Sequence, residues 1–415
     1  MTWGAPLEGL RVVEGSAFVA APSGGMTLAQ LGAEVVRFDA IGGGIDYRRW
    51  PLTEGGRSLY WAGLNKGKKS LAVDLANPAA RELLTDLVAE AGTFLTNFPA
   101  RGWMDPQRLT ARRADLVMVA ITGNRDGTTA VDYTVNAAMG FPMVTGPSGH
   151  LGPVNTVVPG WDLLCGQTAA LGILAAERRR LLTQEGSIMA LALSDVALAA
   201  TAALGYVAEV QVNGESRPRC GNDLYGAFGA ELSTADRRRV YAVAISGRQW
   251  AALVEATECS EAVSQIAASR GLDFGDEGHR FEARDDIKAV MGAWTSQRTL
   301  GEVAERFDAC GVCWGPYQTF TQLVDDDPRC SPEGGLFRSV SQPQIGTYLA
   351  PVSPLAFVGA GEGSLDAGAG TLVAPVLGQH TDEVLATWLG LSGAEIGRLH
   401  DQAVVSGPAP DGRSD

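Results

Sequence analysis

The sequence has few of the residues that build metal and disulfide sites. Its 415 residues include six cysteines and four histidines. The histidines are His150, His279, His380 and His400. None has a second His or Cys at metal-ligand spacing, so we expect no metal. Cys310 and Cys313 form a lone CxxC, which is weak evidence for a metal or redox site. We interpret both as ordinary thiols in a reducing cytoplasm.

Long hydrophobic runs are also scarce. Residues 163–176 are too few to cross a bilayer, and residues 188–208 contain Asp195. A spanning helix needs about 20 apolar residues with few or no charges. The residues after Met1 lead directly into a strand-like run rather than a secretory signal. We therefore expect a cytoplasmic protein in which both apolar runs lie in the core.

Positive charge is in short supply. The chain has 33 Lys and Arg residues against 47 Asp and Glu residues, which gives a net charge of −14. Nucleic-acid binding depends on clustered cationic side chains, so we expect no nucleic-acid partner. At 415 residues the chain is long enough for two or three domains, or for one large domain with an insertion. Hydrophobic residues make up 46% of it, so a substantial core can be buried.

Two familiar catalytic signatures are missing. Residues 14–18, after the first strand-like run, read EGSAF and not the GxGxxG of dinucleotide-binding proteins. This disfavours a nicotinamide enzyme. No GxSxG motif is present, which argues against an ordinary serine hydrolase. The remaining candidates for reactive groups are carboxylates.

Strand and helix patterns alternate in the first half of the chain. We predict strands at 10–14, 34–39, 70–73, 93–97 and 115–121, with helices ending near Leu31 and spanning 79–91 and 159–180. Such alternation predicts a parallel, doubly wound α/β sheet.

Composition changes predict the domain boundaries. We expect a large domain from residues 1–212, a linker at 213–224, a small α+β domain at 225–325, a return segment at 326–405 and a tail at 406–415. The glycine-rich stretch 359–370 and the tail after Ser406 have the composition of loop or disorder.

Asp162 lies in the first turn of the helix predicted at 159–180. One interpretation is a helix-terminal acid that the helix dipole stabilises. The other is a reactive carboxylate, kept ionised by the helix N-terminus, whose amides also supply donors to an oxyanion. A desolvated carboxylate can attack an activated acyl group such as a thioester. The residues alone leave both interpretations open.

A cluster of basic residues stands out in this acidic chain. Its members are Arg37, Arg48, Arg49, Lys66, Lys68, Lys69 and Arg101. We expect them to follow β-strands, where open α/β sheets bind ligands. An anionic ligand with several phosphates, such as coenzyme A, would suit them; the alternative is an ordinary charged surface.

Several longer stretches resemble the class III CoA transferases. They are PLEGLRVV (6–13), LGAEVVRFD (31–39), NKGKKSLAVDL (65–75), TNFP (96–99), GVCWGP (311–316), DDP (326–328) and LGQHTDEVL (377–385). The resemblance covers residues 6–402. It implies a Rossmann-like large domain with a parallel sheet, a smaller α+β domain and an interlocked, ring-like homodimer.

The resemblance also implies roles for individual residues. Asp162 takes the place of the family's aspartyl nucleophile. The segments that hold coenzyme A in relatives contain Ser16, Arg37, Lys69, Asn97, Phe98 and Arg101. Lys66 and Lys68 compete with Lys69 for that role. Tyr133 lies where relatives line the acyl site, and Tyr133 and Arg48 are candidates for binding a remote carboxylate. No cofactor is expected, because coenzyme A is part of the substrate.

Other stretches are similar to one branch of the family. They are VEGSAFVAAP (13–22), GGGIDYRRWP (42–51), NFPARGW (97–103), VDYTVNA (131–137) and LYGAFG (224–229). That branch moves CoA between the C1 and C4 carboxyls of one C5 dicarboxylate, mesaconate. The alternatives are an intermolecular transferase using the same aspartate and a CoA-binding scaffold. The racemase branch of the family uses a histidine and an aspartate about thirty residues apart. Racemisation is disfavoured because no histidine lies about thirty residues before Asp162.

Overall fold

A computed structural model describes residues 5–356 and 372–408. In this part of the chain the strands are β1 (Arg11–Gly15), β2 (Glu34–Ala40), β3 (Lys69–Val73), β4 (Thr93–Thr96), β5 (Val117–Thr122), β6 (Ser187–Ala192), β7 (Phe228–Ser233), β8 (Arg239–Ala244), β9 (Cys313–Pro316), β10 (Phe337–Gln342), β11 (Gly346–Pro351) and β12 (Val405–Ser406). The glycine-rich stretch 359–370 and most of the predicted tail lie outside the described residues.

At least one helix lies between each pair of successive strands from β1 to β6. In chain order they are α1 (Ala20–Gln30), α2 (Leu59–Leu64), α3 (Pro78–Ala91), α4 (Pro106–Arg112), α5 (Asp132–Ala138), α6 (Phe141–Val144), α7 (Gly160–Thr183), α8 (Leu193–Ala203), α9 (Tyr206–Asn213), α10 (Gly247–Ala256), α11 (Ser260–Arg270), α12 (Glu277–Glu282), α13 (Arg284–Thr295), α14 (Leu300–Cys310), α15 (Phe320–Asp325), α16 (Thr381–Leu389) and α17 (Gly393–Asp401). Short 3₁₀ turns lie at Ile45–Arg48 and Gly102–Met104.

A seven-stranded sheet organises the larger part of the fold. Its strand order is β12-β3-β2-β1-β4-β5-β6, and every pair except β12–β3 is parallel. The prediction of a mostly parallel α/β sheet is therefore confirmed. The carboxyl ends of β1 and β4, neighbours at the centre, open onto the same edge, which is where such sheets bind ligands.

Helices cover both faces of this sheet. Successive residues of a strand point to opposite faces, and β1 shows the consequence. Val13 packs in a core cluster with Leu84 of α3 and Trp388 of α16. Val12 packs in a second cluster with Leu28 of α1 and Ile173 of α7. The two clusters lie on the two faces and explain why the central strands are apolar on both sides.

Two glycines allow α1 and α7 to approach closely. A Cβ atom added at Gly24 would lie 2.8 Å from the carbonyl oxygen of Gly166. One added at Gly166 would lie 2.0 Å from Ser23 Oγ and 2.5 Å from the carbonyl oxygen of Ala20. Only glycine fits at this crossing, so the contact fixes the start of α7 relative to the turn that precedes α1.

The chain divides into two compact units. The first contains residues 1–139, 156–209 and 327–415, and the second contains residues 140–155 and 210–326. The second unit has a three-stranded antiparallel sheet in the order β7-β8-β9. Its core includes Phe228, Ile287 and Phe307. Residues 140–155 were not assigned to this unit from the sequence, and the predicted boundaries stay a prediction.

Within the described residues no single helix has the length and apolarity needed to cross a membrane. The pair α8 and α9 meets these criteria only when taken together, and it is bent by 58° between the two helices.

Candidate active site

Asp162 lies in the first turn of α7, where its carboxylate is partly buried. Burial, together with the negative charge of Asp132, raises the pKa of Asp162 to about 6, against an opposing effect of Arg49. The group is therefore mostly ionised at neutral pH, yet more basic than an aspartate in water. A more basic, partly desolvated carboxylate is a better nucleophile.

Asp132 caps the helix that carries Asp162. Its Oδ2 accepts hydrogen bonds from the amide of Trp161 at 2.8 Å and from the amide of Asp162 at 3.0 Å. The indole Nε1 of Trp161 donates to Asn136 Oδ1 at 3.2 Å. Asp132 comes from the first turn of α5 and is 1% exposed. The two carboxylates are therefore held side by side at one helix end.

The expectation that the start of this helix offers free amides to an oxyanion is wrong. Asp132 already accepts from the amides of Trp161 and Asp162. The amides of Gly160 and Leu163 donate to backbone carbonyls just before the helix, at 2.8 and 3.1 Å. The helix end still contributes its positive dipole, but these four N–H groups have acceptors.

The turn between β1 and α1 is fixed by side chains from two other segments. Asn97 Oδ1 accepts from the amide of Ala17 at 2.9 Å, and Asn97 Nδ2 donates to the carbonyl of Ala17 at 2.6 Å. The amide of Phe18 donates to both carboxylate oxygens of Asp46, at 3.0 and 3.1 Å. Phe18 has a φ of +67°, a strained value for this residue type. These bonds hold the turn in place.

Two of the predicted CoA-binding side chains lie beneath that turn. Ser16 Oγ donates to Glu14 Oε1 at 2.6 Å, and the residue is 1% exposed. The Nη2 of Arg37 donates to the carbonyl of Ser16 and to Asp46 Oδ2, each at 2.9 Å. Both side chains are already hydrogen-bonded to protein partners. They lie at the base of the turn, where they support it.

The expectation that the basic cluster follows β-strands is wrong for several members. Arg37 lies inside β2, and Lys66 and Lys68 precede β3. Lys68 Nζ is buried and donates to Glu14 Oε1 at 2.8 Å. Burial lowers the pKa of Lys68 to about 8 despite this neighbour. Glu14 is the internal acidic partner that keeps the ammonium group of Lys68 within the core.

Lys69 lies apart from the other predicted CoA ligands. It is the first residue of β3, at the amino end of the parallel sheet. Its ammonium group pairs with Glu34 and, at 2.7 Å, with Glu383. These hydrogen bonds raise its pKa although burial acts in the opposite direction. The structure therefore does not bring Lys69 to the edge where Ser16 and Asn97 lie.

Arg49 and Tyr60 lie near Asp162. The guanidinium carbon of Arg49 stacks 5.1 Å from the ring centroid of Phe18 and 4.8 Å from that of Tyr60. Burial raises the pKa of Tyr60 to about 12, Arg49 opposes this, and the charges of Asp46, Asp162 and Tyr133 add to it. The electrostatic coupling places these groups around one small region.

A surface pocket adjoins this region. Its volume is about 640 Å³, and it is lined by Gly43, Gly44, Ile45, Arg48, Arg49 and Trp50. Arg48 is exposed, and the Trp50 side chain is 79% exposed. Both predicted substrate-binding residues lie in this unit: Arg48 lines the pocket, and Tyr133 is half exposed in the first turn of α5.

The remaining predicted residues follow β4. Phe98 packs against the apolar core, and its amide donates to Thr96 Oγ1 at 3.0 Å. Arg101 is exposed at the end of the same loop. Together with Asn97 they lie at the carboxyl edge of the sheet, next to the turn after β1.

Three functional candidates were not predicted as site residues in their own right, although Arg49 appeared as a member of the basic cluster. They are Asp132, Arg49 and Tyr60. Each acquires its role through contacts with a distant segment: Asp132 with the start of α7, and Arg49 and Tyr60 with the turn after β1 and with one another. The sequence held one usable signal for Asp132. Its carboxylate lies in the stretch VDYTVNA (131–137), which was identified as similar to one branch of the family.

No group of three or more His, Cys, Asp or Glu side chains in the described residues could hold a metal ion. Cys165 lies one turn after Asp162, and burial raises the pKa of its thiol to about 12. Cys310 and Cys313 are both free thiols. The ionisable groups described at the start of α7 include the carboxylates of Asp132 and Asp162.

Known proteins show what this chain is similar to. A 2-methylfumaryl-CoA isomerase of Chloroflexus aurantiacus is 52% identical, covering 97% of this chain and 98% of the relative. A succinyl-CoA–D-citramalate CoA-transferase of the same organism is 26% identical, covering 96% and 98%. A CAIB/BAIF family protein from Brucella suis superimposes with a TM-score of 0.74 at 24% identity, covering 93% of this chain and 100% of that structure.

The family itself follows from a match to a family model. Residues 7–381 match the model of CoA-transferase family III. The match includes the parallel sheet, the start of α7 with Asp162, and the whole second unit. The resemblance inferred from the sequence is thereby confirmed, and this chain belongs to CoA-transferase family III.

Proposed function

We propose that this protein is an intramolecular CoA transferase that moves CoA between the C1 and C4 carboxyls of mesaconate, with Asp162 as the nucleophile. The observation that carries the proposal is the partly buried carboxylate of Asp162 at a helix end, with a pKa of about 6. The 52% identity to a 2-methylfumaryl-CoA isomerase supports the choice of substrate.

The reaction uses four acyl transfers. A carboxylate oxygen of Asp162 attacks the C1 thioester carbonyl and expels CoA thiolate, which leaves a mixed anhydride. The thiolate attacks the aspartyl carbonyl, giving an aspartyl-CoA thioester and mesaconate. The C4 carboxylate then attacks that thioester, which re-forms an anhydride and thiolate. Attack of the thiolate on the C4 acyl carbon regenerates Asp162. No proton is consumed, and no oxidant or reductant is needed.

Retention of mesaconate in the site makes the second half of the reaction fast. A trapped diacid attacks as part of one complex, which removes an entropic barrier of up to about 7–11 kcal/mol relative to a bimolecular step. The carboxyl edge of β1 and β4 supplies the binding surface for CoA, with Asn97, Phe98 and Arg101 nearest to the exposed turn. Ser16 and Arg37 support the turn from below. We do not extend the CoA-binding proposal to Lys69, because its ammonium is already paired with Glu34 and Glu383.

The family resemblance also supports an interlocked homodimer. Exposed apolar side chains on α7 are consistent with burial against a second copy: Leu171 is 67% exposed, Leu181 77% and Leu182 69%. Large apolar residues in such numbers on one helix are unusual for a free surface.

The test is to incubate the purified protein with mesaconyl-C1-CoA alone and to follow the products by chromatography with mass detection. We expect the C4 isomer, and we expect isotope-labelled free mesaconate to stay out of it.

The second candidate is an intermolecular transferase that passes CoA from a dicarboxylyl-CoA to a free acid through the same aspartate. The 26% identical citramalate transferase favours it as the next choice. If isomerisation required a second acid, or if labelled mesaconate entered the product, this candidate would replace the first.

A further inference from the structure

The guanidinium group of Arg49 contacts two aromatic rings and has no polar partner among the described residues. Its Cζ atom lies over the ring of Phe18 and over the ring of Tyr60, at centroid distances of 5.1 and 4.8 Å. Among the described residues its nitrogens form no hydrogen bond and no ion pair. Aromatic stacking leaves the edge of a guanidinium available, and that edge matches a carboxylate with two parallel hydrogen bonds.

The hydroxyl of Tyr60 is a second unused donor beside it. Its oxygen is buried, and it has no hydrogen-bond partner among the described residues. Buried polar atoms almost always have a partner in folded proteins, so an orphan hydroxyl calls for one from outside the chain. A phenol that is neutral across the physiological range donates its proton to such a partner.

A local network holds these two residues together before any ligand arrives. Ser58 Oγ donates to the backbone carbonyl of Arg49 at 2.7 Å. The same oxygen accepts from the amide of Trp61 at 3.0 Å and so caps α2, which carries Tyr60. One side chain therefore sets the backbone on both sides of the donor pair, which lowers the entropy lost on binding.

Neighbouring carboxylates do not neutralise Arg49. Asp46 is taken by Arg37 Nη2 and by the amide of Phe18. Arg49 is close enough to Asp162 to oppose the rise in its pKa, yet the two form no ion pair in the described structure. Arg49 is therefore near the nucleophile but is not paired with it.

We propose that Arg49 and Tyr60 bind the carboxylate of the acyl group that is not joined to CoA. A short dicarboxylyl chain then lies between Arg49 and Asp162, with its thioester carbonyl at Asp162 and its other end at Arg49. This inference rests on the proposed function only in requiring a dicarboxylyl-CoA substrate. We prefer Arg49 to Arg48, which was one of the two candidates from the sequence beside Tyr133, because Arg48 is exposed and the guanidinium of Arg49 lies over two rings.

The anchor also explains how one diacid serves both halves of the reaction. After the first half of the reaction, mesaconate carries two free carboxylates. One of them stays bound to Arg49 while CoA is joined to Asp162 as a thioester. Exchange of the two carboxylates between Arg49 and the reaction centre then presents the other end to the aspartyl thioester.

Binding measurements on two thioesters test the proposal. One is mesaconyl-C1-CoA, and the other is its analogue with a methyl group in place of the free carboxylate. Dissociation constants are measured by calorimetry in the Asp162→Asn background, from which the nucleophile is missing. We expect Arg49→Gln to weaken mesaconyl-CoA binding by about 30-fold or more and to leave the methyl analogue unchanged. Tyr60→Phe should act on the same ligand alone, with a smaller effect.

Arg57→Gln is the matched control, since Arg57 lies in the same loop and its side chain has no polar contact among the described residues. We expect it to change neither constant. Equal weakening of both thioesters by Arg49→Gln would overturn the proposal, and so would selective loss in Arg48→Gln instead. If Arg49→Gln does not fold, Arg49→Lys keeps the charge without the planar fork and should still lose selectivity. If turnover needs a second acid, the isomerase proposal fails, but Arg49→Gln should still weaken binding of mesaconyl-CoA and not of the methyl analogue.

Discussion

At the scale of single residues, Asp132 and Asp162 form a pair of like charges at one helix end. Replacing Asp162 by Asn removes the nucleophile, and we expect turnover to fall by about 10³-fold or more.

The same substitution should change stability. Folding raises the pKa of the Asp162 carboxyl above its ordinary value of 3.8, so the ionised group opposes folding above pH 6 and the penalty fades as the pH falls. The Asn variant should therefore be more stable at pH 7.5, by about 1–2 kcal/mol. Urea unfolding and a coupled assay measure both; near-normal turnover would contradict the mechanism.

The pH profile of the free enzyme should report the same pair. With a pKa of about 6 for Asp162, kcat/KM should fall below pH 6, because the protonated acid cannot attack. Asp132→Asn removes one negative charge and keeps an oxygen for the helix amides. We expect its acid limb to move to lower pH, while the folded protein stays intact. An unmoved limb would show that Asp132 does not act on Asp162.

The cap can be separated from the charge with a second substitution. Asp132→Ala removes both, and the amides of Trp161 and Asp162 lose their acceptor. We expect a loss of stability of about 1 kcal/mol, within the usual range for a helix cap. Thermal unfolding of the Ala and Asn variants side by side measures the difference. Equal stability of the two would contradict a capping role.

Single residues also show where sequence reasoning stops. A helix-terminal aspartate at position 162 could be predicted from the Pro-Gly start and the apolar stripe behind it. The inward orientation of Ser16 and Arg37 could not, because it depends on Glu14, Asp39 and Asp46 meeting beneath one turn. Nor could the pairing of Arg49 with Phe18 and Tyr60, whose contact is set by tertiary packing.

At the scale of elements, the contact between α1 and α7 decides where Asp162 lies. Gly166→Val would push a side chain into Ser23 and the backbone of Ala20. We expect it to destabilise the protein by about 1–3 kcal/mol and to lower kcat as α7 shifts. Denaturant unfolding and steady-state kinetics measure the two effects.

Gly172→Ala on the same helix is the control for that substitution. A Cβ atom there would lie 3.6 Å from Met189 Sδ, an ordinary contact. Because alanine favours a helix over glycine by up to about 1 kcal/mol, we expect equal or greater stability and unchanged kinetics. Similar damage from both substitutions would mean that the α1–α7 crossing is not the sensitive point.

The elements themselves were the most predictable part of the fold. The strands predicted at 10–14 and 34–39 are β1 and β2, and the helix predicted at 79–91 is α3. Their apolar periodicity arises from local burial, which the sequence records directly. The assignment of residues 140–155 to the second unit depends on long-range contacts that leave no such periodic signal.

At the scale of the whole molecule, we expect the protein to form a homodimer. Light scattering coupled to size-exclusion chromatography should give twice the chain mass of 43.4 kDa, because the exposed leucines of α7 need a partner surface. The ratio should hold on dilution if two rings are interlocked, since separation then requires unfolding. A monomer mass at micromolar concentration would contradict the proposal.

The two-residue strand β12 has a consequence for biosynthesis. Val405 pairs with Val73 and completes the sheet beside β3, but a ribosome makes all of residues 210–326 between the two. The second unit is therefore finished while β3 still shows an unpaired edge. Such an edge is a template for pairing with other nascent chains. The edge of β3 at Ala72 and Val73 therefore stays open to such pairing until Val405 is made, and we expect a chaperone that shields β3 during that interval to raise the yield of active protein.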